Sequence, residues 1–306
     1  MRQHLSAVKD RRLKYLLLDV FTDRPLSGNP LAVVCNADGL MDDRMQAIAR
    51  EFNLSETVFI TRPQSERNTA AVRIFTPEAE LPFAGHPTVG AAVVLGLQEK
   101  VPVIRIEERV GSITALIEKN EQGIAMARFG LPRLPEPAGN PPDKTQIALT
   151  LGILPEDIGC GLYKPAVYTA GVLYYLIPVR DPKVLASLRL ERRGWSEVYP
   201  LARHAIYVFT ETPNEPDVAF AARMFSPGMP NGEDPGTGSA AAALIGLLAE
   251  HAPFSDGQGD YVLRQGDEMG RPCRIHVQVR KEAGVLTHGG IGGHAVIIGE
   301  GELDLG

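Results

Sequence analysis

The chain contains an internal repeat, and this feature constrains its fold more than any other. Three pairs of segments correspond: residues 57–60 with 207–210, 73–77 with 223–227, and 82–86 with 235–239. The first two pairs are 150 residues apart, and three residues inserted in the second copy shift the third pair. A repeat of half the chain length predicts two similar lobes, because a solenoid would need several short units.

Runs of β-forming residues predict that both lobes are built mainly from strands. The predicted strands are Leu16–Phe21, Thr57–Thr61, Ala71–Phe75, Val101–Glu107, Ser112–Glu118, Gly123–Phe129, Leu173–Val179, Ala205–Phe209, Ala219–Phe225, Arg274–Val279 and Ala295–Gly299. Met41–Phe52 is amphipathic and predicts a helix on the outside of the first lobe. The glycine run Gly289–Gly293 is interpreted as a turn, with His288 and His294 as loop residues beside it. Trp195 is expected to be partly buried.

Two further stretches predict helices of a different kind. Neither Leu81–Leu97 nor Pro235–Ala249 contains Asp, Glu, Lys or Arg. A helix without a polar face is buried on all sides, and each run is shorter than the roughly 20 residues of a membrane span. The sequence therefore predicts an α+β fold of two pseudo-symmetric lobes, each a curled, mostly antiparallel sheet around a central buried helix. We expect lobes at residues 1–130 and 143–306, joined by a linker at 131–142, with the last strand as the candidate to cross back to the N-terminal lobe.

Both central helices begin at a glycine-rich loop. The first begins around Gly85-His86-Pro87, where proline suits the first helical position, and the second around Thr237-Gly238-Ser239. Unpaired N–H groups and the helix dipole attract an anion to such a terminus. If the two lobes face each other across a cleft, these loops predict a clamp for a substrate carboxylate. Simple helix capping is the alternative for each loop.

Composition excludes several classes of function. The formal net charge of −6 leaves no broad basic surface, which argues against a nucleic-acid partner. The apolar run after the basic residues 9–14 is too short for a signal peptide, so we expect a soluble, cytoplasmic protein with no membrane association. Three cysteines without a CxxC motif indicate reduced thiols. Seven histidines without HExxH or ligand spacing predict no metal site.

A set of motifs distributed in order along nearly the whole chain resembles the PhzF-like family of phenazine biosynthesis. The motifs are Asp19-Val20-Phe21-Thr22, Gly28-Asn29-Pro30, Asn53-Leu54-Ser55-Glu56, Arg73-Ile74-Phe75-Thr76-Pro77, Glu80 to Pro87, Glu233 to Ala240, Gln265-Gly266, Met269 to Pro272 and Ile298 to Gly301. This resemblance implies the diaminopimelate-epimerase-like fold, usually as a homodimer. It also implies an isomerase that uses neither metal nor organic cofactor and acts on dihydro-hydroxyanthranilate or a similar small carboxylate.

The resemblance also assigns roles to individual residues. It implies that Glu56 carries the proton, that His86 and Asp234 are further catalytic residues, and that Ser239 binds the substrate. We further expect Ser55, Gly85, Thr237 and Gly238 to bind substrate. The two glycines and Thr237 would do so because they lie at the N-termini of the central helices. Each assignment has an alternative from the residues themselves: Glu56 as a solvated strand-end glutamate, and His86, Asp234 and Ser239 as helix caps.

Chemical reasoning supports Glu56 as the proton carrier. It follows a helix and precedes the apolar strand at Thr57, so its carboxyl group should lie at the rim of a core, where burial raises its pKa towards about 6 to 7. Racemases of the same fold use two thiols, and Ala84 and Pro235 stand in those places here. We therefore predict a cofactor-independent shift of a proton between carbons of a small cyclic enamine or enol carboxylate. The alternatives are an epimerase, or a carboxylate-binding protein of the same fold without turnover.

Overall fold

The computed structural model describes residues 12–201, 205–229 and 232–305, so residues 9–11 of the basic run lie outside the described part. The helices are α1 (Asp42–Phe52), α2 (Gly85–Glu99), α3 (Lys144–Leu151), α4 (Pro182–Ser187), α5 (Trp195–Val198) and α6 (Gly238–His251). The strands are β1 (Arg12–Val20), β2 (Asn29–Val34), β3 (Thr57–Thr61), β4 (Ala70–Phe75), β5 (Glu80–Leu81), β6 (Val103–Glu108), β7 (Gly111–Lys119), β8 (Ala125–Gly130), β9 (Glu136–Pro137), β10 (Ala166–Thr169), β11 (Leu173–Pro178), β12 (Ile206–Glu211), β13 (Phe220–Phe225), β14 (Glu233–Asp234), β15 (Gly257–Gln265), β16 (Cys273–Glu282) and β17 (Val285–Asp304).

The first lobe is a closed ring of strands around α2. Its pairing order is β1, β2, β3, β4, β6, β7, β8 and β17, and β17 returns to β1. The β2–β3 and β4–β6 pairs are parallel and the others are antiparallel. All residues of α2 from Gly85 to Gly96 are buried, which explains why its sequence has no polar face.

The second lobe repeats this arrangement around α6. Its order is β9, β10, β11, β12, β13, β15, β16 and β17, with parallel pairs at β11–β12 and β13–β15. The helix is buried from Ala240 to Ala249. The structure confirms the predicted α+β fold of two similar lobes, each with a curled, mostly antiparallel sheet around a central helix. The exact boundaries of the lobes stay a prediction.

The repeat is visible in side-chain contacts as well as in strand order. Arg73 donates two hydrogen bonds to Glu80 at 2.7 and 2.8 Å, and Arg223 donates two to Glu233, both at 2.8 Å. Each guanidinium also lies over the phenylalanine two residues further along, 5.1 and 4.8 Å from the ring centroid. Bidentate pairs of this kind hold β5 and β14 to the sheet just before the central helices begin.

The last strand, β17, belongs to both lobes. Residues 285–292 pair with β16, residues 290–294 with β8, and residues 295–304 with β1. The turn predicted at Gly289–Gly293 is therefore wrong, and His288 and His294 lie on a strand. Packing explains these glycines: a Cβ atom at Gly293 would lie 2.4 Å from Cδ1 of Phe21, so the strand needs residues without side chains.

The predictions for the amphipathic helix and for Trp195 have different outcomes. The amphipathic helix is confirmed as α1, which ends at Asn53 in the left-handed conformation. Trp195 was expected to be partly buried, but it is 2% exposed because it packs tightly on Tyr199, with ring centroids 4.7 Å apart. Within the described ranges, no helix has the length and apolar character needed to cross a bilayer.

Candidate active site

The two central helices begin in direct contact with each other. A Cβ atom built on Gly85 would lie 2.8 Å from Cα of Gly238, and one built on Gly238 would lie 2.9 Å from Cα of Gly85. Only glycine permits such an approach, because real Cβ atoms essentially never come within 3.0 Å of another heavy atom. The two N-termini therefore meet at one place, where their N–H groups and dipoles add.

Side chains do not cap these two helices. The N-cap residues are Ala84 and Thr237, and neither makes a side-chain capping hydrogen bond. The sequence placed Pro87 at the first helical position, but α2 begins two residues earlier, so Pro87 is its third residue. The capping alternative consequently has no support for His86, Asp234 or Ser239.

Asp234 ties the two lobes together at this junction. Its Oδ1 accepts hydrogen bonds from Ser55 and Asn29, both at 3.1 Å, and its Oδ2 accepts one from Thr237 at 2.5 Å. Burial raises the pKa of Asp234, while these donors act in the opposite direction. Ser55 and Asn29 belong to the first lobe, so one carboxyl group of the second lobe is held by donors from both halves of the chain.

Glu56 lies beside this carboxyl group, between the end of α1 and the start of β3. Its side chain is 17% exposed. Burial, reinforced by the negative charge of Asp234, raises the pKa of Glu56 to about 8. The direction agrees with the sequence analysis, which placed this pKa at about 6 to 7, and the solvated strand-end alternative does not fit its burial. Near neutral pH, Glu56 exists in both its acidic and basic forms.

His86 is the direct neighbour of Glu56. Its Nδ1 lies 3.3 Å from Oε2 of Glu56, and its side chain is 4% exposed. Burial lowers the pKa of His86 to about 3, against the opposing effect of the Pro30 backbone carbonyl. At pH 7 the histidine is neutral and Glu56 is mostly protonated, so the contact joins two uncharged groups. An ion pair would require the opposite shifts.

Two buried polar atoms at the site have no hydrogen-bond partner among the described residues: Nε2 of His86 and Oδ1 of Asn29. Buried polar atoms are nearly always paired, so unpaired ones at this junction suit the polar groups of a bound molecule. His86 and Asn29 are thereby able to orient a substrate against Glu56.

The second helix start is fixed by Gln265. Its Nε2 donates to the backbone carbonyl of Asp234 at 2.7 Å, and its Oε1 accepts from the backbone N–H of Thr237 at 3.2 Å. Ser239 lies within 2.8 Å of the Tyr174 hydroxyl. Of the predicted binding residues, the structure brings Ser55 and Thr237 onto Asp234, places Gly85 against Gly238, and directs Ser239 to Tyr174.

Sequence reasoning gave no role to Asn29, Gln265 or Tyr174. Asn29 and Gln265 occur in the Gly-Asn-Pro and Gln-Gly motifs, which were the available signal for them. Tyr174 lies in an ordinary apolar strand, β11, and nothing local distinguishes it. Throughout the described ranges, no group of three or more His, Cys, Asp or Glu side chains is arranged to hold a metal ion.

Comparison with known proteins decides the family. The family model described as phenazine biosynthesis-like protein, PhzC-PhzF, matches residues 18–301. The chain belongs to this family. The resemblance found in the motifs is thus confirmed, and the fold is the diaminopimelate-epimerase-like one that it implied.

Two relatives and one solved structure show how close the family match is. An uncharacterised isomerase of Mesorhizobium japonicum is 42% identical over 94% of this chain and 98% of its own length. Trans-2,3-dihydro-3-hydroxyanthranilate isomerase of Pseudomonas chlororaphis is 33% identical over 95% of this chain and 99% of its own length. The crystal structure of a PhzF-family protein of Bacillus anthracis superposes with a TM-score of 0.85, at 25% identity and coverage of 96% and 99%. The protein is a PhzF-family isomerase.

Proposed function

We propose that this PhzF-family protein shifts a proton between two carbons of a small cyclic enamine or enol carboxylate similar to dihydro-hydroxyanthranilate. Glu56 is the single acid and base, and no cofactor takes part. The observation that carries the proposal is the Glu56 carboxyl group, whose pKa of about 8 accompanies a 3.3 Å contact with a neutral His86. The substrate class rests on the dihydro-hydroxyanthranilate isomerases among the relatives.

The reaction balances without any other reactant. As a carboxylate, Glu56 takes a proton from one carbon, and the electron pair of that C–H bond moves into a new double bond. As a carboxylic acid, Glu56 returns the proton to a second carbon as the original double bond shifts. The product has the same atoms and charge as the substrate. A pKa near the operating pH keeps both forms of Glu56 accessible, as general acid–base catalysis requires.

The other site residues have positioning and binding roles in this proposal. Asp234 raises the pKa of Glu56 through its charge and joins Ser55 to Thr237. The N-termini of α2 and α6, which begin at Gly85 and Gly238, bind the substrate carboxylate through their N–H groups and dipoles. Ser239 also binds this carboxylate. Because the two glycines touch, the carboxylate lies beside their contact rather than between them. His86 holds a polar group of the substrate next to Glu56.

Epimerisation is the weaker alternative. It needs a base on each face of the carbon, and the thiol positions of the racemases hold Ala84 and Pro235. Cys273 is the thiol near the second loop, where its Sγ would lie 2.6 Å from a Cβ atom on Gly236. Burial and the Asp234 charge raise the pKa of Cys273 well above its ordinary value, so almost no thiolate is present near neutral pH to act as a base. Glu56 is then left without a second base on the opposite face.

Isotope exchange tests the proposal. In deuterated water the protein should place deuterium on a substrate carbon, and Glu56→Gln should reduce exchange by about 10³-fold or more, since removal of the acid–base group removes most of the catalysis. Glu118→Gln, at a side chain that is 61% exposed, is the matched control and should exchange like the unchanged protein. Equal exchange by Glu56→Gln would refute the role of Glu56. Binding without exchange across a panel of cyclic carboxylates would favour the non-catalytic alternative.

The oligomeric state completes the proposal. We expect a homodimer, as the family resemblance implies, and no metal or organic cofactor. Sedimentation of the purified chain measures the first point, and undiminished exchange after dialysis against a chelator measures the second. A monomer at micromolar concentration, or activity restored only by added metal, would contradict them.

A further inference from the structure

A second carboxyl group is buried close to the start of α2, outside the site described above. Glu108 ends β6 and is 6% exposed. Its Oε1 lies 2.7 Å from the hydroxyl of Thr88, which is on the first turn of α2. Its Oε2 is buried and has no hydrogen-bond partner among the described residues. The proposed reaction uses neither oxygen, yet a buried ionised carboxylate with one free oxygen is among the least favourable groups a protein can hold.

The hydrogen bonds around Thr88 indicate the protonation state of Glu108. The Thr88 hydroxyl lies 2.8 Å from the carbonyl oxygen of Ala84 as well as 2.7 Å from Glu108. A hydroxyl has one proton, and a carbonyl oxygen can only accept. Both contacts are hydrogen bonds only when the threonine proton goes to Ala84 and a proton on Glu108 completes the second contact. The result is a chain of donors from Glu108 through Thr88 to Ala84, the N-cap residue of α2.

The internal repeat shows what stands at the same place in the second lobe. The parallel pair Ala70–Ile106 in the first lobe corresponds to Phe220–Leu263 in the second, 150 residues after Ala70. Two residues beyond Ile106 is Glu108, and two residues beyond Leu263 is Gln265. Gln265 holds the N-cap residue Thr237 and the carbonyl of Asp234. A protonated glutamate has nearly the shape of a glutamine, with a donor and an acceptor in the same places.

Neighbouring charges do not supply a partner for an ionised Glu108. Glu107 accepts hydrogen bonds from Asn68 and from the backbone of residues 64 and 65. On the adjacent elements, Arg73 and Arg109 both bind Glu80, and the titratable group on the first turn of α2 is the neutral His86. Burial accordingly raises the pKa of Glu108 to about 8, with the Thr88 contact opposing.

We propose that Glu108 is a positioning residue which, in its protonated form, fixes the start of α2 through Thr88 and so holds His86 against Glu56, as Gln265 fixes the start of α6. One lobe achieves this with an amide and the other with a carboxylic acid. The catalytic part of this inference rests on the proposed function, whereas its structural part does not.

A set of substitutions at Glu108 tests the catalytic part. Glu108→Gln preserves the donor and the acceptor, whereas Glu108→Ala and Thr88→Val break the chain to Ala84. We expect kcat for isotope exchange to fall by about tenfold or more in Glu108→Ala and Thr88→Val, since small misplacements of catalytic groups have effects of that size. Glu108→Gln should stay within about twofold of the unchanged protein, and KM should change little in all three. Rates are expressed per folded molecule, with the folded fraction taken from circular dichroism.

Magnetic resonance tests the structural part without any turnover. In the Glu56→Gln variant, ¹³C spectra should still show the signal of a carboxyl group that titrates near pH 8. This signal should be absent from the double variant that also carries Glu108→Gln. The ¹⁵N signals of the His86 ring should shift in Glu108→Ala and stay in place in Glu108→Gln. Rates and ring signals that are equal in the Ala and Gln variants would overturn the proposal, as would a Glu108 carboxyl group that titrates near pH 4.5. Failure of the unchanged protein to exchange would refute the proposed function alone, because the ring signals still decide the role of Glu108.

Discussion

At the scale of single residues, burial suppresses the ordinary charges of three groups, two in the site and one beside it. The pKa values of Glu56 and Glu108 are raised to about 8, and that of His86 is lowered to about 3. Each shift means that the folded state disfavours the charged form, and the two glutamates, whose ordinary pKa is 4.5, would adopt that form in an unfolded chain at neutral pH. The two buried glutamates therefore reduce the stability of the protein near neutral pH.

The pH dependence of stability has a defined sign for Glu56. Its folded pKa of about 8 exceeds its unfolded value of 4.5, so its favourable contribution is complete below pH 4.5 and is lost as the pH rises through 8. Glu56→Gln should therefore be more stable than the unchanged protein at pH 8, by an amount that grows between pH 4.5 and 8 by at most about 1.4 kcal/mol per pH unit. Urea unfolding at several pH values measures this difference.

The exposed Glu118→Gln change is the matched control for replacing a glutamate by glutamine. A constant stability difference between Glu56→Gln and the unchanged protein across this range would show that Glu56 has an ordinary pKa in the folded state. His86 acts with the opposite sign: its lowered pKa makes stability fall as the pH drops from 6.5 towards 3.

At the scale of elements, the site depends on how closely two helices begin. The N-termini of α2 and α6 touch at Gly85 and Gly238, and the neighbouring residues His86 and Ser239 take their positions from that contact. A methyl group at Gly238 would meet backbone atoms, which cannot rotate away as a flexible side chain could. The helices would have to separate, and groups on opposite lobes would lose their alignment.

Gly238→Ala should therefore damage function more than stability. We expect kcat/KM to fall by about 10²-fold, the size of effect that a displacement of about 1 Å produces. The free energy of unfolding should fall by about 1–3 kcal/mol, as for other overpacked sites. Gly228→Ala is the control, because no atom of the described residues, its chain neighbours aside, lies within 4 Å of its Cβ position. Full activity in Gly238→Ala would show that the helix contact is not needed for catalysis.

The central helices were predictable from sequence, because a run without charged residues reports burial whatever surrounds it. The contact between the two helix N-termini was only partly predictable. The repeat indicated that two similar loops exist, and the expected pseudo-symmetry of the lobes placed both loops on one cleft. The link from Asn29 to Asp234 spans 205 residues and left no local pattern. The Gly289–Gly293 run was misinterpreted because the contact that requires glycine at position 293 is with Phe21, which is distant in sequence. Local patterns report burial well and long-range contacts poorly.

At the scale of the whole molecule, β17 joins the two lobes through its strand pairs. It pairs with β16 of the second lobe and with β8 and β1 of the first. The crossing point is crowded, since Gly293 faces the fully buried Phe21. Disturbance there should reach both lobes at once, because this strand closes the ring of the first lobe and pairs with β16 of the second.

Gly293→Ala should lower the free energy of unfolding by about 1–3 kcal/mol through overpacking. The unfolding midpoint should be at the same urea concentration by Trp195 fluorescence and by circular dichroism. The fluorescence reports the second lobe, whereas circular dichroism reports both lobes. Gly299→Ala is the control on the same strand, because its nearest atoms are those of Leu17 at 4.0 Å. Two separate transitions in Gly293→Ala would show that the lobes unfold independently.

The shared strand also sets the order of events during translation. The ribosome makes β17 after all the other strands, and until residues 290–304 emerge the first lobe lacks the strand that closes its ring between β8 and β1. Both of those strands then present unpaired edges, the kind of surface on which nascent chains associate wrongly. The N-terminal half of the chain, although made first, must therefore finish folding last.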